Sequence, residues 1–201
     1  MSGTTAIITL SLNTFIRYYS LDPSKLVAEV SRRMQSSGGY DYYNILADAV
    51  RAKTSGATED EIEYILNRSS NPSEVAHNRA AYEMFNERFG RKRGLSAFDK
   101  TGRLRFCDGK LMIVVKPLFS IESARSFDVY NIWATQKPEL DRARAGVGVH
   151  LMNVAFSRTA PNFDYKMFNA VDGKTYSTVN NTVPQAISTI AENIVNIAMS
   201  A

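Results

Sequence analysis

The chain has 201 residues, 44% hydrophobic and 22% charged, with 11 Gly, 6 Pro and a formal net charge of +4. These are the proportions of an ordinary globular protein, and they exclude collagen-like, coiled-coil and disordered chains, each of which needs a bias absent here. A chain this long can bury a sizeable core without metals or disulfides, and its single cysteine, Cys107, excludes an intrachain disulfide and a Cys-rich zinc site.

The N-terminal half reads as helices. Ile8, Leu12, Phe15, Ile16 and Tyr19 fit one helix face. Asp22-Pro23-Ser24 is a helix start, with a capping carboxylate and a proline where its missing N–H costs nothing. Leu26, Val27, Val30 and Met34 follow at helical spacing, and Ser36-Ser37-Gly38-Gly39 ends the run. A further helix is expected from about Asp41, with Ile45, Leu46, Ala49 and Val50 as its buried stripe. Thr58 and Glu61 form a capping box, and Asn71-Pro72-Ser73-Glu74 repeats the signal before Val75, Tyr82, Phe85 and Phe89, with Gly90 as a stop. Four or five helices make residues 1–90 a small bundle.

The pattern switches to period two at Gly102. Asp108-Gly109 is the strongest hairpin signal in the chain. Its register sets Phe106 opposite Leu111 and Leu104 opposite Ile113, leaving Arg103, Arg105, Lys110 and Lys116 on the other face. A third strand is expected over Phe127 to Thr135 and a helix from Lys137-Pro138-Glu139 to about Phe156. Phe163 to Val171 reads as a strand that turns at Asp172-Gly173 into Lys174-Thr175-Tyr176. Thr182-Val183-Pro184 starts a last helix with the stripe Ile187, Ile190, Ile194 and Ile197, spaced to line a helix–helix seam in the core or in a homodimer. The expected fold is α+β: a helical bundle, then a mostly antiparallel five-stranded sheet in the order βββαββα, covered by two helices. Residues 1–90 and 96–201 are the two regions, able to form one continuous globular unit.

Charge is uneven. Residues 1–84 hold eight Lys/Arg against ten Asp/Glu, and residues 85–201 hold sixteen against ten. The candidate binding residues are Arg91, Lys92, Arg93, Arg103, Arg105, Lys110 and Lys116, which can neutralise phosphates or dock an acidic protein. The competing expectation is that they meet the acidic N-terminal half inside the molecule. A DNA-reading helix-turn-helix is excluded, because Glu59, Asp60, Glu61 and Glu63 would face the duplex. Tyr18, Tyr19, Tyr40, Tyr42 and Tyr43 form a possible stacking platform, though tyrosines of small bundles are usually packing residues.

Catalytic patterns are sparse. His77 and His150 stand in no metal-ligand spacing, and there is no phosphate-binding glycine loop or nucleophile elbow. Gly146-x-Gly148 lies inside a predicted helix and reads as close packing. A Cys107–His150 pair is chemically conceivable, but nothing in the sequence brings the two together. No catalytic residue, metal or cofactor is assigned. The longest aliphatic run, Leu111 to Val115, is far short of the ~20 residues of a membrane helix. No positively charged segment precedes Ile7, Ile8, Leu10 and Leu12 as a secretory signal would need. A soluble, cytoplasmic protein without a membrane partner is expected.

The order helix, three strands, helix, strand over about residues 72–171 resembles the core of the PD-(D/E)xK nuclease-like superfamily. That resemblance implies an acidic residue near the second strand and Glu/Asp-x-Lys on the third, where carboxylates hold Mg²⁺ and lysine steadies the attacking water. The third strand here reads Phe127-Asp128-Val129-Tyr130, with tyrosine where lysine is required, and Glu122 falls in the preceding loop. Asp99, Asp108, Glu122 and Asp128 are the carboxylates such an enzyme would use. The expected function is therefore a non-catalytic interaction or regulatory protein with a basic hairpin face, the nuclease being the alternative.

Overall fold

The computed structural model describes residues 5–36 and 41–201. In chain order the elements are β1 (Ile8–Ser11), α1 (Leu12–Tyr19), α2 (Pro23–Gln35), α3 (Asn44–Thr54), α4 (Glu59–Leu66), α5 (Pro72–Phe89), β2 (Leu95–Ala97), β3 (Gly102–Phe106), β4 (Leu111–Val115), β5 (Phe119–Glu122), β6 (Phe127–Trp133), α6 (Arg142–Phe156), β7 (Asp164–Asn169), β8 (Thr175–Tyr176) and α7 (Val183–Ser200). The fold is α+β, with seven helices and two mixed sheets among the described residues.

Helix starts follow local chemistry. The Asp22 carboxylate accepts the Lys25 N–H, Thr58 and Glu61 close the capping box, and the Asn71 side chain accepts from Ser73 and Glu74. Two helices differ most from expectation. The single helix expected over Ile8 to Tyr19 is a strand followed by a helix. Ile8 and Leu10 point into the core while Thr9 and Ser11 face out, a period of two, and the Ser11 hydroxyl then caps α1 by accepting the Thr14 N–H at 3.2 Å. The helix expected from Lys137 starts at Arg142, because Asp141 is its cap. The expected stop at Ser37, Gly38 and Gly39 lies outside the described residues, as does Tyr40.

The sheet also differs. There are two: β1-β4-β3, and β2-β5-β6-β7-β8. The Asp108-Gly109 hairpin belongs to the first, where it gains β1 as a parallel neighbour of β4. In the second, β6 and β7 run parallel through the α6 crossover, while β2–β5, β5–β6 and β7–β8 are antiparallel. Sequence periodicity finds strands but not partners, so the three extra strands, β1, β2 and β5, and the division into two sheets escaped it.

Two apolar clusters hold these layers. One joins β1, α1 and α2 to the inner face of the three-stranded sheet, α6, α7 and one face of the five-stranded sheet, around Phe15, Ile16, Trp133 and Phe156. The other packs α3, α4 and α5 on the opposite face of the five-stranded sheet, around Leu46, Ile62, Phe85, Phe119 and Phe168. The N-terminal helices are thus divided between two cores. Gly146 and Gly148 let α6 approach closely, Gly146 beside Thr178 and Val183 and Gly148 beside Met167 and Ile16.

Candidate functional site

The basic stretch of the sequence folds as one structural unit. β2 pairs with β5 and β3 with β4, so residues 95–106 and 111–122 form the two arms of one long hairpin. Each arm extends about 40 Å along its contour at ~3.3 Å per residue. The turn is built as its sequence demands: Asp108 and Gly109 take φ of 54° and 86°, and the Lys110 N–H donates to the Cys107 carbonyl at 3.1 Å. The register of β3 on β4 is the expected one, Phe106 opposite Leu111 and Leu104 opposite Ile113.

Between the sheets the arms slip by one residue. The Phe98 N–H still donates to the Leu118 carbonyl in the phase of β2 and β5, whereas Gly102 stands opposite Val115 in the phase of β3 and β4. Asp99, Lys100 and Thr101 therefore face only Lys116 and Pro117, a bulge that bends the ribbon from one sheet into the other. Pro117 has no N–H to give the ladder and suits this interruption.

The candidate cations take separate stations along this hairpin. Arg91, Lys92 and Arg93 are exposed just before its base, where the Glu122 N–H donates to the Gly94 carbonyl. Lys116 is exposed at the bulge, about 20 Å away along β5 at the same rise. Arg103 and Arg105 project side by side from the outer face of the three-stranded sheet, in rows with Val114 and Ser11, and with Met112 and Thr9. Lys110 does not join them. It is half-buried, with its ammonium 3.6 Å from the Met199 sulfur at the end of α7. Lys100, at the bulge, was not among the expected binding residues although it lies within the same basic run.

Ion pairing separates this unit from the rest. Among the described residues, ten salt bridges engage Arg17, Lys25, Arg32, Arg51, Lys53, Arg68, Arg79, Arg144, Lys166 and Lys174. None of these ten engages Arg91, Lys92, Arg93, Lys100, Arg103, Lys110 or Lys116. The acidic helices pair locally instead, Glu29 with Arg17 and Arg32, and Glu63 with Arg79.

The tyrosines do not assemble into one platform. Tyr18 is buried in the first core and Tyr19 lies beside α7, while Tyr42 and Tyr43 meet edge to face at 5.1 Å near α3. The Tyr42 hydroxyl is 2.8 Å from His77 Nδ1. Cys107 is a poor nucleophile, since burial first, and then the Glu192 and Asp108 carboxylates, push its thiol pKa up. Ile187 and Ile194 of the last stripe are buried, with Ile190 and Ile197 packed partly exposed against the same cluster.

In chain order five strands, β2 to β6, stand between α5 and α6 where three were expected, and of these only β2, β5 and β6 share a sheet with β7. The β3–β4 hairpin is not part of it. The four candidate carboxylates stay apart, Asp108 at the hairpin tip, Asp99 at the bulge, Glu122 exposed at the end of β5 rather than in a loop, and Asp128 within β6. No group of three His, Cys, Asp or Glu able to hold a metal occurs among the described residues. Asp128 is instead paired at 2.6 Å with Lys166, which the parallel register of β7 sets beside Tyr130. The Tyr130 hydroxyl donates to the same carboxylate at 3.3 Å, and burial, then the Asp128 charge, raises its pKa. This donor set does not fit Mg²⁺, which takes several oxygen ligands. Sequence alone could not show the Asp128–Lys166 pair, because it depends on which strands are neighbours.

No family model matches the chain, and no curated protein matches it significantly. A solved structure described as "Crystal structure of SSO0001" is similar at 10% identity over 88% of this chain and 87% of that one, with a TM-score of 0.38. That likeness is too weak to assign fold or function. No helix among the described residues is long and apolar enough to cross a membrane.

Proposed function

We propose that the protein is a cytoplasmic, non-catalytic binding protein whose long basic hairpin docks an acidic macromolecule, either nucleic acid or an acidic protein surface. One observation supports this reading: Arg91, Lys92, Arg93, Arg103 and Lys116 are exposed, and none makes an ion pair or side-chain hydrogen bond among the described residues. Cations neutralised inside the fold would be paired, as those of the N-terminal helices are. Salt titration of nucleic-acid binding tests it, since affinity falls with a slope that reports the phosphates engaged. The double variant Arg103→Glu/Lys116→Glu should fold normally and reduce that slope by about 2, one for each lost contact. Failure to bind any nucleic acid or acidic polypeptide at low salt ends this reading.

The nuclease alternative draws on the order of elements alone. Labelled DNA and RNA with Mg²⁺ or Mn²⁺ decide it: cleavage by clean protein that disappears in Asp128→Asn would establish it. A homodimer through α7 has little of the isoleucine stripe left to use, so its interface would be the weakly charged face of Gln185, Ser188, Thr189, Asn193 and Asn196. Sedimentation at several concentrations reads it directly.

A further inference from the structure

Resting on the basic-hairpin reading, we propose that the partner is single-stranded nucleic acid, and that an unpaired base stacks on the Phe127–Phe163 pair beside the hairpin bulge. The two rings are stacked, with centroids 4.1 Å apart and planes 18° from parallel. Both residues are half-buried, packed at the edge of the first core. Behind them the aromatic series continues inward. Phe98 meets Phe163 edge to face at 6.4 Å and Phe156 at 5.4 Å, and Phe156 stacks on Tyr165 at 5.7 Å. The half-buried pair is therefore the outer end of a stack fixed in the first core, and a base landing on it orders little that is not already ordered.

The hairpin supplies the charge at this spot. The Lys100 ammonium stands 5.6 Å from the centre of the Phe163 ring and is held there by the Thr159 carbonyl at 3.2 Å. Lys116 lies across the bulge from Lys100, and Arg158 is exposed in the loop that leads to Phe163. Two carboxylates lie close by: Glu122 stands directly opposite Phe127 across the strands, and Asp164 follows Phe163. Phosphates would follow the cations from Lys100 toward Lys116 and Arg103. A cationic track beside a fixed aromatic face is how proteins hold single strands. A duplex keeps its bases stacked on one another and offers these rings nothing, and an acidic protein surface satisfies the cations but not the rings.

Fluorescence anisotropy with labelled single-stranded DNA, single-stranded RNA and a duplex of the same sequence, at one low salt concentration, tests the proposal. Single strands should bind at least about tenfold tighter than duplex, and the DNA and RNA arms show whether the sugar matters. Phe127→Leu should weaken single-strand binding by about 5- to 150-fold and leave any duplex binding unchanged. Phe127→Tyr, which keeps the ring, should restore it. Should Phe127→Leu prove unfolded by circular dichroism, photocrosslinking of halogenated single strands to the unaltered protein, with the adduct mapped to Phe127 or Phe163, carries the test. Equal affinity for single strand and duplex, or no effect of Phe127→Leu, overturns the inference while the basic-hairpin reading stands. Binding of polyglutamate but no nucleic acid also overturns it, leaving that reading in its protein form. No binding to any of them removes both.

Discussion

Asn78 caps a helix that lies 32 residues before it. Its side-chain oxygen accepts the Leu46 N–H in the first turn of α3, and its amide donates to the Tyr42 and Glu74 carbonyls, all at 2.9 Å. The residue at the cap position of α3 itself, Tyr43, provides no side-chain bond. Asn78 is fully buried, so its removal would leave the Leu46 N–H without a partner and out of reach of water. Asn78→Ala should cost about 2–3 kcal/mol, read as a lower urea midpoint at unchanged slope. A variant as stable as the parent would mean that α3 is held by its apolar stripe alone. This contact also marks a limit of sequence reading. Asp22, Thr58 and Asn71 are legible caps because donor and acceptor lie within three residues, whereas the start of α3 was placed at Asp41 because its cap arrives from another helix.

Among the elements, the long hairpin was legible in part. The Asp-Gly dipeptide and the alternation on either side fixed the turn and the pairing of β3 with β4, since both depend on neighbours in the chain. The continuation into β2 and β5 was missed, because Leu95–Ala97 is three residues long and its partner lies across the bulge. β1 was read as helix because Ile8, Leu12 and Tyr19 satisfy a helical period by coincidence, while pairing with β4 decides the matter. The base of the hairpin depends on Gly94, whose φ is +75° and where a Cβ would collide with the Glu122 carbonyl oxygen. Gly94→Ala should destabilise by about 2 kcal/mol, combining left-handed strain with overpacking, and thermal unfolding would show it. An unchanged melting temperature would mean that this end of the ribbon opens at little cost. For the candidate site, the cations themselves were legible, but their spread over base, bulge and outer face was not. Neither was the aromatic pair, which joins the first residue of β6 to the residue just before β7.

At the scale of the molecule, the five-stranded sheet has a core on each face, and the hairpin threads from one sheet to the other. Trp133 sits in the first core on β6, one residue from Ile132 in the second. Neither core is separable from the sheet they share, so residues 1–90 should not fold apart from the remainder. Urea unfolding followed by Trp133 fluorescence and by far-ultraviolet circular dichroism should give one coincident transition. Two resolved transitions would show that the helical region is an independent unit.

The bulge has a consequence for changes of chain length. With three residues facing two, deleting one of Asp99, Lys100 or Thr101 would bring both halves of the ribbon into a single phase, so every strand pair and every side-chain face could survive. What would be lost is the angle. Odd-numbered residues of β4, Leu111, Ile113 and Val115, enter one core, and odd-numbered Phe119 of β5 enters the other. One side of a single ribbon can serve two cores only if the ribbon turns between them. A straightened ribbon would swing its tip off α6, beginning where Gly102 packs against Ala155 and Phe156. The extra residue thus acts as a corner piece, and the arm should accept substitution at this point far more readily than shortening.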